Sequence, residues 1–153
     1  MPKVSQKIKS SKKVEQSYAI NPMAIEEAGR SGYKILESRL CPDCSQKFDK
    51  SKDNGELTFQ DLRECIQKSC SQDLNFVTPA MPLLECAFRF LIASPKEPLT
   101  LTELHSKVND LWSNAPWPRH ISPDSLARAI SSDSYYGIVE VATTKAKRSF
   151  ARH

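Results

Sequence analysis

Four of the five cysteines lie close together, and their spacing is the strongest chemical signal in the chain. Cys41-Pro42-Asp43-Cys44 is a CxxC knuckle, and Cys65 and Cys70 follow to give C-x2-C-x20-C-x4-C. Two close thiolates on a tight turn, met by two more from a second element, is the layout of a closed tetrahedral zinc site. The expected ligands are Cys41, Cys44, Cys65 and Cys70, and the expected cofactor is a structural Zn2+ with no position open to water or substrate. Unligated thiols fit the same spacing, and so does a CxxC redox pair, although no βαβ pattern surrounds it. Cys86 falls on an apolar helix face and reads as a core residue, while His105, His120 and His153 stand isolated.

Catalytic patterns are otherwise missing. With four glycines in the chain there is no glycine-rich phosphate loop, and no Ser, His and Asp trio or catalytic metal spacing can be assembled from a motif. The expectation is a non-enzymatic protein without a small-molecule substrate.

The elements that position the cysteines come next. Thr58 can cap a helix over Phe59–Lys68, with Asp61 in the capping-box position. Phe59, Leu62 and Ile66 share one face of that helix, Cys65 lies beside them, and Cys70 sits near its end. Cys41-x2-Cys44-x3-Phe48 followed by Leu62-x2-Cys65-x4-Cys70 resembles a ββα zinc finger of the Cys2His2 type. Both of the family's histidines are cysteine here, and a polar loop from Asp49 to Glu56, with an Asn54-Gly55 turn, lengthens the middle. The resemblance implies a small core around Phe48 and Leu62 that a metal must staple, since about 30 residues bury too little alone. DNA reading does not carry over, because Gln60, Arg63 and Lys68 stand beside Asp61 and Glu64.

Downstream, Leu83, Leu84, Ala87, Phe88, Leu91 and Ile92 repeat at the helical period, and Pro95 and Pro98 follow the stripe. Thr100 and Glu103 fit a second capping box, with Leu99 and Leu104 as its hydrophobic staple. Leu104, Val108 and Leu111 then face inward. Ser122 and Pro123 open a third helix, with Ile121 and Leu126 as staple. Residues 137–142 are strand-like, and Arg148-Ser149-Phe150-Ala151-Arg152 can return as a second strand. Three helices followed by a basic hairpin resemble the winged helix-turn-helix superfamily over residues 80–153. The resemblance implies a recognition helix over 122–132, with Ser122, Ser125 and Arg128, and Arg119 ahead of them, facing DNA. Lys145, Lys147, Arg148 and Arg152 would contact phosphates from the wing. Trp112 and Trp117 read as core or loop anchors before base-stacking groups.

The fold class expected is therefore α+β, mainly helical. A basic disordered tail (1–17) precedes a short helix with an extended lead-in (18–40), a zinc-finger-like module (41–70), a linker (71–79) and the winged-helix domain (80–153). Hydrophobic content of 39% with 26% charged residues suits a folded globular chain. No apolar run approaches a membrane span and no secretory signal opens the chain, so an intracellular location, cytoplasmic or nuclear, is expected. The net charge of +4 is unevenly placed. Lys3, Lys7, Lys9, Lys12 and Lys13 lead the chain, the four cations of 145–152 close it, and all 18 acidic residues lie between. Basic ends suit phosphate backbones or acidic partners. The function expected is a nucleic-acid-binding accessory protein of transcription or genome maintenance, on double-stranded DNA. The alternative is a protein-interaction adaptor in which both modules dock partners within a larger complex.

Overall fold

Local capping chemistry decides where most helices begin. The computed structural model describes residues 15–51 and 57–142. Asn21 accepts from the Met23 N–H to open α1 (Pro22–Glu27), with Pro22 at the first helical position. Ser31 does the same for α2 (Gly32–Glu37) through the Lys34 N–H. The extended lead-in expected within residues 18–40, read from Tyr33 to Leu40, is helical as far as Glu37 for that reason. α3 (Pro42–Ser51) follows, and then α4 (Phe59–Lys68) with its Thr58–Asp61 capping box complete on both sides. A 3-10 turn, Cys70–Gln72, extends α4. α5 (Leu83–Ala93) carries the broad apolar stripe. α6 (Leu101–Ser113) begins at the Thr100–Glu103 box, and α7 (Pro123–Ser131) is capped by Ser122.

Two corrections fall on the cysteine-bearing segment. A ββα finger would place a hairpin where α3 stands. The residues explain the difference: Pro42 is suited to a first helical turn, Asp43 lies there too, and nothing from 42 to 51 is β-branched. The loop expected from Asp49 is likewise helical as far as Ser51; the Asn54-Gly55 turn lies outside the described residues.

β1 (Ser17–Ile20), β2 (Leu99–Thr100) and β3 (Ile138–Val141) form one antiparallel sheet in the order β2-β1-β3. Ser17, placed by the sequence in a disordered tail, instead begins the central strand. It pairs with Thr100 on one side and Val141 on the other, and Ile20 pairs with Ile138. The ladder extends outward through Leu101 N–H to the Gln16 carbonyl and Asn21 N–H to the Gly137 carbonyl, both 2.8 Å. Gly137 has φ +73°, and a Cβ there would lie 2.6 Å from Ile25 Cγ1 and 2.9 Å from the Asn21 carbonyl. Only glycine fits that approach. The return strand at 148–152 and the tail before residue 15 lie outside the described residues. The architecture is a mainly helical α+β fold with a small sheet.

A continuous apolar cluster runs from Tyr18 and Ile20 through Leu36, Leu62 and Ile66 to Phe88, Leu91, Leu126 and Ile138. Arg63, itself buried, crosses the junction between α4 and α5. It donates to the Leu91 and Ile92 carbonyls at 3.0 and 3.2 Å and pairs with Glu97 at 3.0 Å. Those carbonyls lie in the last turn of α5, where a cation is favoured, and the Leu91 carbonyl also accepts from the Ser94 N–H at 3.2 Å. The other Glu97 oxygen accepts from the Ile20 N–H at 3.0 Å, so a single network ties α4, α5 and β1. No helix among the described residues is long and apolar enough to cross a membrane.

Candidate metal centre and nucleic-acid interface

α3 and α4 bring the four expected cysteines to one place. Cys41 immediately precedes α3, Cys44 lies in its first turn, Cys65 is on α4, and Cys70 opens the 3-10 turn. Cys44, Cys65 and Cys70 are buried, and Cys41 is partly exposed. The sulfurs of Cys41, Cys44 and Cys70 all lie within 4.8 Å of one another, close enough to share one metal ion. Cys44 and Cys65 are joined as a disulfide, while Cys41 and Cys70 are free thiols. The four expected ligands thus gather at one place, with Cys41, Cys44 and Cys70 grouped and Cys65 joined to Cys44. The Cys41 N–H donates to Cys70 Sγ at 3.0 Å. Burial pushes the Cys70 thiol up to about 11, against the opposing pull of that N–H.

Two clefts open onto the cluster. One, of about 220 Å³, is lined by Cys41, Cys70, Arg39, Arg89 and Phe76 among others. The other, of about 280 Å³, reaches Cys65 beside Phe48, Asp61, Glu64 and Lys68. Cys86, the fifth cysteine, lies outside the cluster with its Sγ 3.6 Å from the Thr78 and Met81 carbonyls. Burial first, and the neighbouring Glu85 second, push its thiol up to about 11.

Beside the first cleft lies a charge network that joins Glu85 to Arg39, Arg89 and Tyr136. Glu85 accepts from Arg39 through two bonds of 2.7 Å, from Arg89 at 2.6 Å and from the Tyr136 hydroxyl at 2.7 Å. Burial alone would raise the Glu85 carboxyl, but the bonds from Arg39, Arg89 and Tyr136 outweigh it and hold the group down to about 2. Tyr136 moves the opposite way, to about 12, through burial and its bond to Glu85. The only legible hint was Glu85 and Arg89 at i,i+4 on one helix.

At the expected nucleic-acid surface, α7 packs inward through Leu126 and Ile130. Ser122 spends its hydroxyl on the helix cap, bonding the Ser125 N–H at 3.1 Å. Arg128 is exposed and reaches the Ser125 hydroxyl at 3.3 Å. Arg119 is held to its own fold, donating to the Pro79 carbonyl at 2.8 Å with its guanidinium 3.8 Å above the Trp112 ring. Trp112 is buried, whereas Trp117 is 82% exposed and anchors nothing. It borders an apolar cleft of about 430 Å³ with Pro79, Ala80 and Pro116. His105 Nε2 lies 2.6 Å from the Ile121 carbonyl, away from the sulfur cluster. Lys145, Lys147, Arg148 and Arg152 lie outside the described residues.

No family model matches the chain, and no solved structure matches it. Among curated proteins it is similar to the N-acetyl-gamma-glutamyl-phosphate reductase of Listeria monocytogenes serotype 4b, strain CLIP80459. The two are 26% identical over 135 residues, which is 80% of this chain and 38% of the reductase. The reductase of that name from serotype 4a, strain HCC23, is 26% identical over 131 residues, 78% of this chain and 37% of the relative. The chain thus spans under two fifths of the length of these relatives.

Proposed function

We propose that this is a non-enzymatic nucleic-acid-binding accessory protein of transcription or genome maintenance, which grips the phosphates of double-stranded DNA with its two basic ends. In this reading α5, α6 and α7, with β2 and β3 in one sheet, are the helices and strands of a winged helix. The observation that carries it is the pairing of Ser17 with Val141. It makes the chain before β1 and the chain after β3 leave the sheet side by side. Five lysines precede residue 14, four cations follow residue 144, and neither stretch holds an acid. Nine like charges on two segments that join the sheet at one end are a strong attractant for a polyanion. Phosphate grip suits the surface better than base reading does, because Arg119 is occupied and Arg128 is offset by Asp124 on a helix with no net charge.

Zinc fits the sulfur cluster on the chemistry of its donors. Three sulfurs are already grouped, the fourth is attached to one of them, and four soft donors leave no open position. Cys41, Cys44, Cys65 and Cys70 would hold the ion, which would brace α3 against α4. The reductases' activity is not carried to this chain, because the similarity spans under two fifths of their length.

Duplex affinity measured from roughly 50 to 200 mM salt tests the reading, each phosphate contact adding about 0.9 to the logarithmic slope. A steep slope is expected, reduced both by deleting residues 1–13 and by changing Lys145, Lys147 and Arg148 to Ala. Affinity that stays flat with salt, or that ignores both changes, overturns it. That outcome favours the adaptor reading, for which the exposed Trp117 cleft is the supporting feature.

A further inference from the structure

The four-cysteine cluster carries a consequence that neither a plain staple nor a plain zinc site has. A staple needs two sulfurs, yet Cys41 and Cys70 are held against the Cys44–Cys65 pair as free thiols. A four-sulfur metal site needs all four as thiolates, yet two are joined. We infer that the cluster is a redox-gated metal site: with Cys44 and Cys65 bonded it cannot close around an ion, and with them reduced its four sulfurs take one Zn2+. This rests on the zinc assignment made above and adds the gate.

The geometry supports both states. Tetrahedral zinc with bonds of about 2.3 Å sets its sulfurs about 3.8 Å apart. Cys41, Cys44 and Cys70, within 4.8 Å of one another, need a contraction of about 1 Å at most to meet that. Cys65 must instead separate from Cys44, which requires the bond to break. The Cys41 N–H already points at Cys70 Sγ, the kind of outer contact that steadies a thiolate ligand. The two clefts expose different members of the cluster, Cys41 and Cys70 in one and Cys65 in the other.

The gate balances with a dithiol as reductant. One of its thiolates attacks a sulfur of the Cys44–Cys65 bond and displaces the other as thiolate, leaving a mixed disulfide. The reductant's second thiol then closes on the first and leaves as a cyclic disulfide. Two electrons have passed to the protein, and two protons complete the freed thiols. In the other direction a two-electron thiol oxidant withdraws the same pair and forms the Cys44–Cys65 bond.

The full chain should be reduced with a dithiol, loaded with Zn2+, freed of excess, and then titrated with a diazenedicarboxamide-type oxidant. Zinc is followed by elemental analysis and thiols by alkylation and peptide mass spectrometry. The reduced protein is expected to hold about one equivalent. Oxidation is expected to release it in step with the loss of two thiols, yielding a peptide that joins Cys44 to Cys65. Cys41, Cys70 and Cys86 should stay alkylatable, and a dithiol should restore zinc uptake. Cys41→Ser is expected to form the same disulfide while holding zinc at least about tenfold more weakly. Zinc retained after the Cys44–Cys65 bond has formed overturns the gate and leaves the zinc site standing. A reduced protein with all five thiols free and no zinc uptake overturns the zinc site itself.

Discussion

Residues 41–70 and residues 83–141 are both assembled from short helices, yet they hold together by different means. In the later region α5, α6 and α7 bury Phe88, Leu91, Ile92, Leu104, Val108 and Leu126 completely. Apolar burial at about 25 cal/mol per Å² carries such a region with no help from covalent chemistry. In the earlier region α4 buries Leu62 and Ile66, but α3 contributes Cys44 as its one buried side chain among those described, with Phe48 only partly covered. Sulfur does there what leucine does elsewhere. The difference teaches that a helix too polar to anchor itself can still be placed, provided that a few atoms of the right chemistry meet at one point. It also places the expected sensitivity of the molecule: the first region should respond to redox state and metal, and the second should not.

The largest test of that contrast is Phe88→Ala. It should cost about 3–5 kcal/mol in urea unfolding, equally with and without a dithiol, since the disulfide joins α3 to α4 and does not involve α5. Next, Cys65→Ser should cost about 2–4 kcal/mol in metal-free buffer without reductant. Added dithiol should erase that difference by bringing the parent down to the variant. A Cys65→Ser cost that persists under reduction would mean that the region rests on packing after all. Smaller still, Thr58→Ala and Thr100→Ala each remove half of a capping box and should cost about 1 kcal/mol in thermal unfolding. Equal costs would show that the two regions differ in what clasps them and not in how their helices start.

A further effect concerns pH. The Glu85 carboxyl is held down from an ordinary 4.5 to about 2, so its network stabilises the fold fully above about 4.5. That contribution is lost as the pH falls from about 4.5 to about 2, where the folded state must take up the proton. Stability measured across this window should decline less in Glu85→Gln than in the parent.

Features set by a few neighbouring residues could be read from the sequence. The Asn21 and Ser122 caps and the Thr58–Asp61 and Thr100–Glu103 boxes stand where their residue types place them. Spacing was also enough to bring Cys41, Cys44, Cys65 and Cys70 together. It could not supply the bonding, because four cysteines allow three pairings and oxidation state leaves no mark on spacing. α3 was missed because a finger-like pattern of cysteines and Phe48 outweighed a ten-residue stretch without a β-branched side chain. Arg63 was read as a surface cation, and only the approach of α5 turns it into a buried partner for the Leu91 and Ile92 carbonyls. The strand at Ser17–Ile20 was the deepest omission. Its partners are at residues 99–100 and 138–141, and nothing local announces a pairing that distant.

That central strand has a consequence for how the molecule is made. β1 is the first described element to be synthesised and β3 the last, and the sheet has no middle without the one and no second edge without the other. A chain emerging from a ribosome can form α4 and α5, and can join β1 to β2, well before Gly137 has been added. Until then one side of β1 has its backbone donors and acceptors unpaired. Closing a loop of that length is slow compared with forming the helices, so the docking of β3 beside β1 is expected to come last. A growing chain stalled before residue 137 should therefore display an open strand edge that the finished protein conceals.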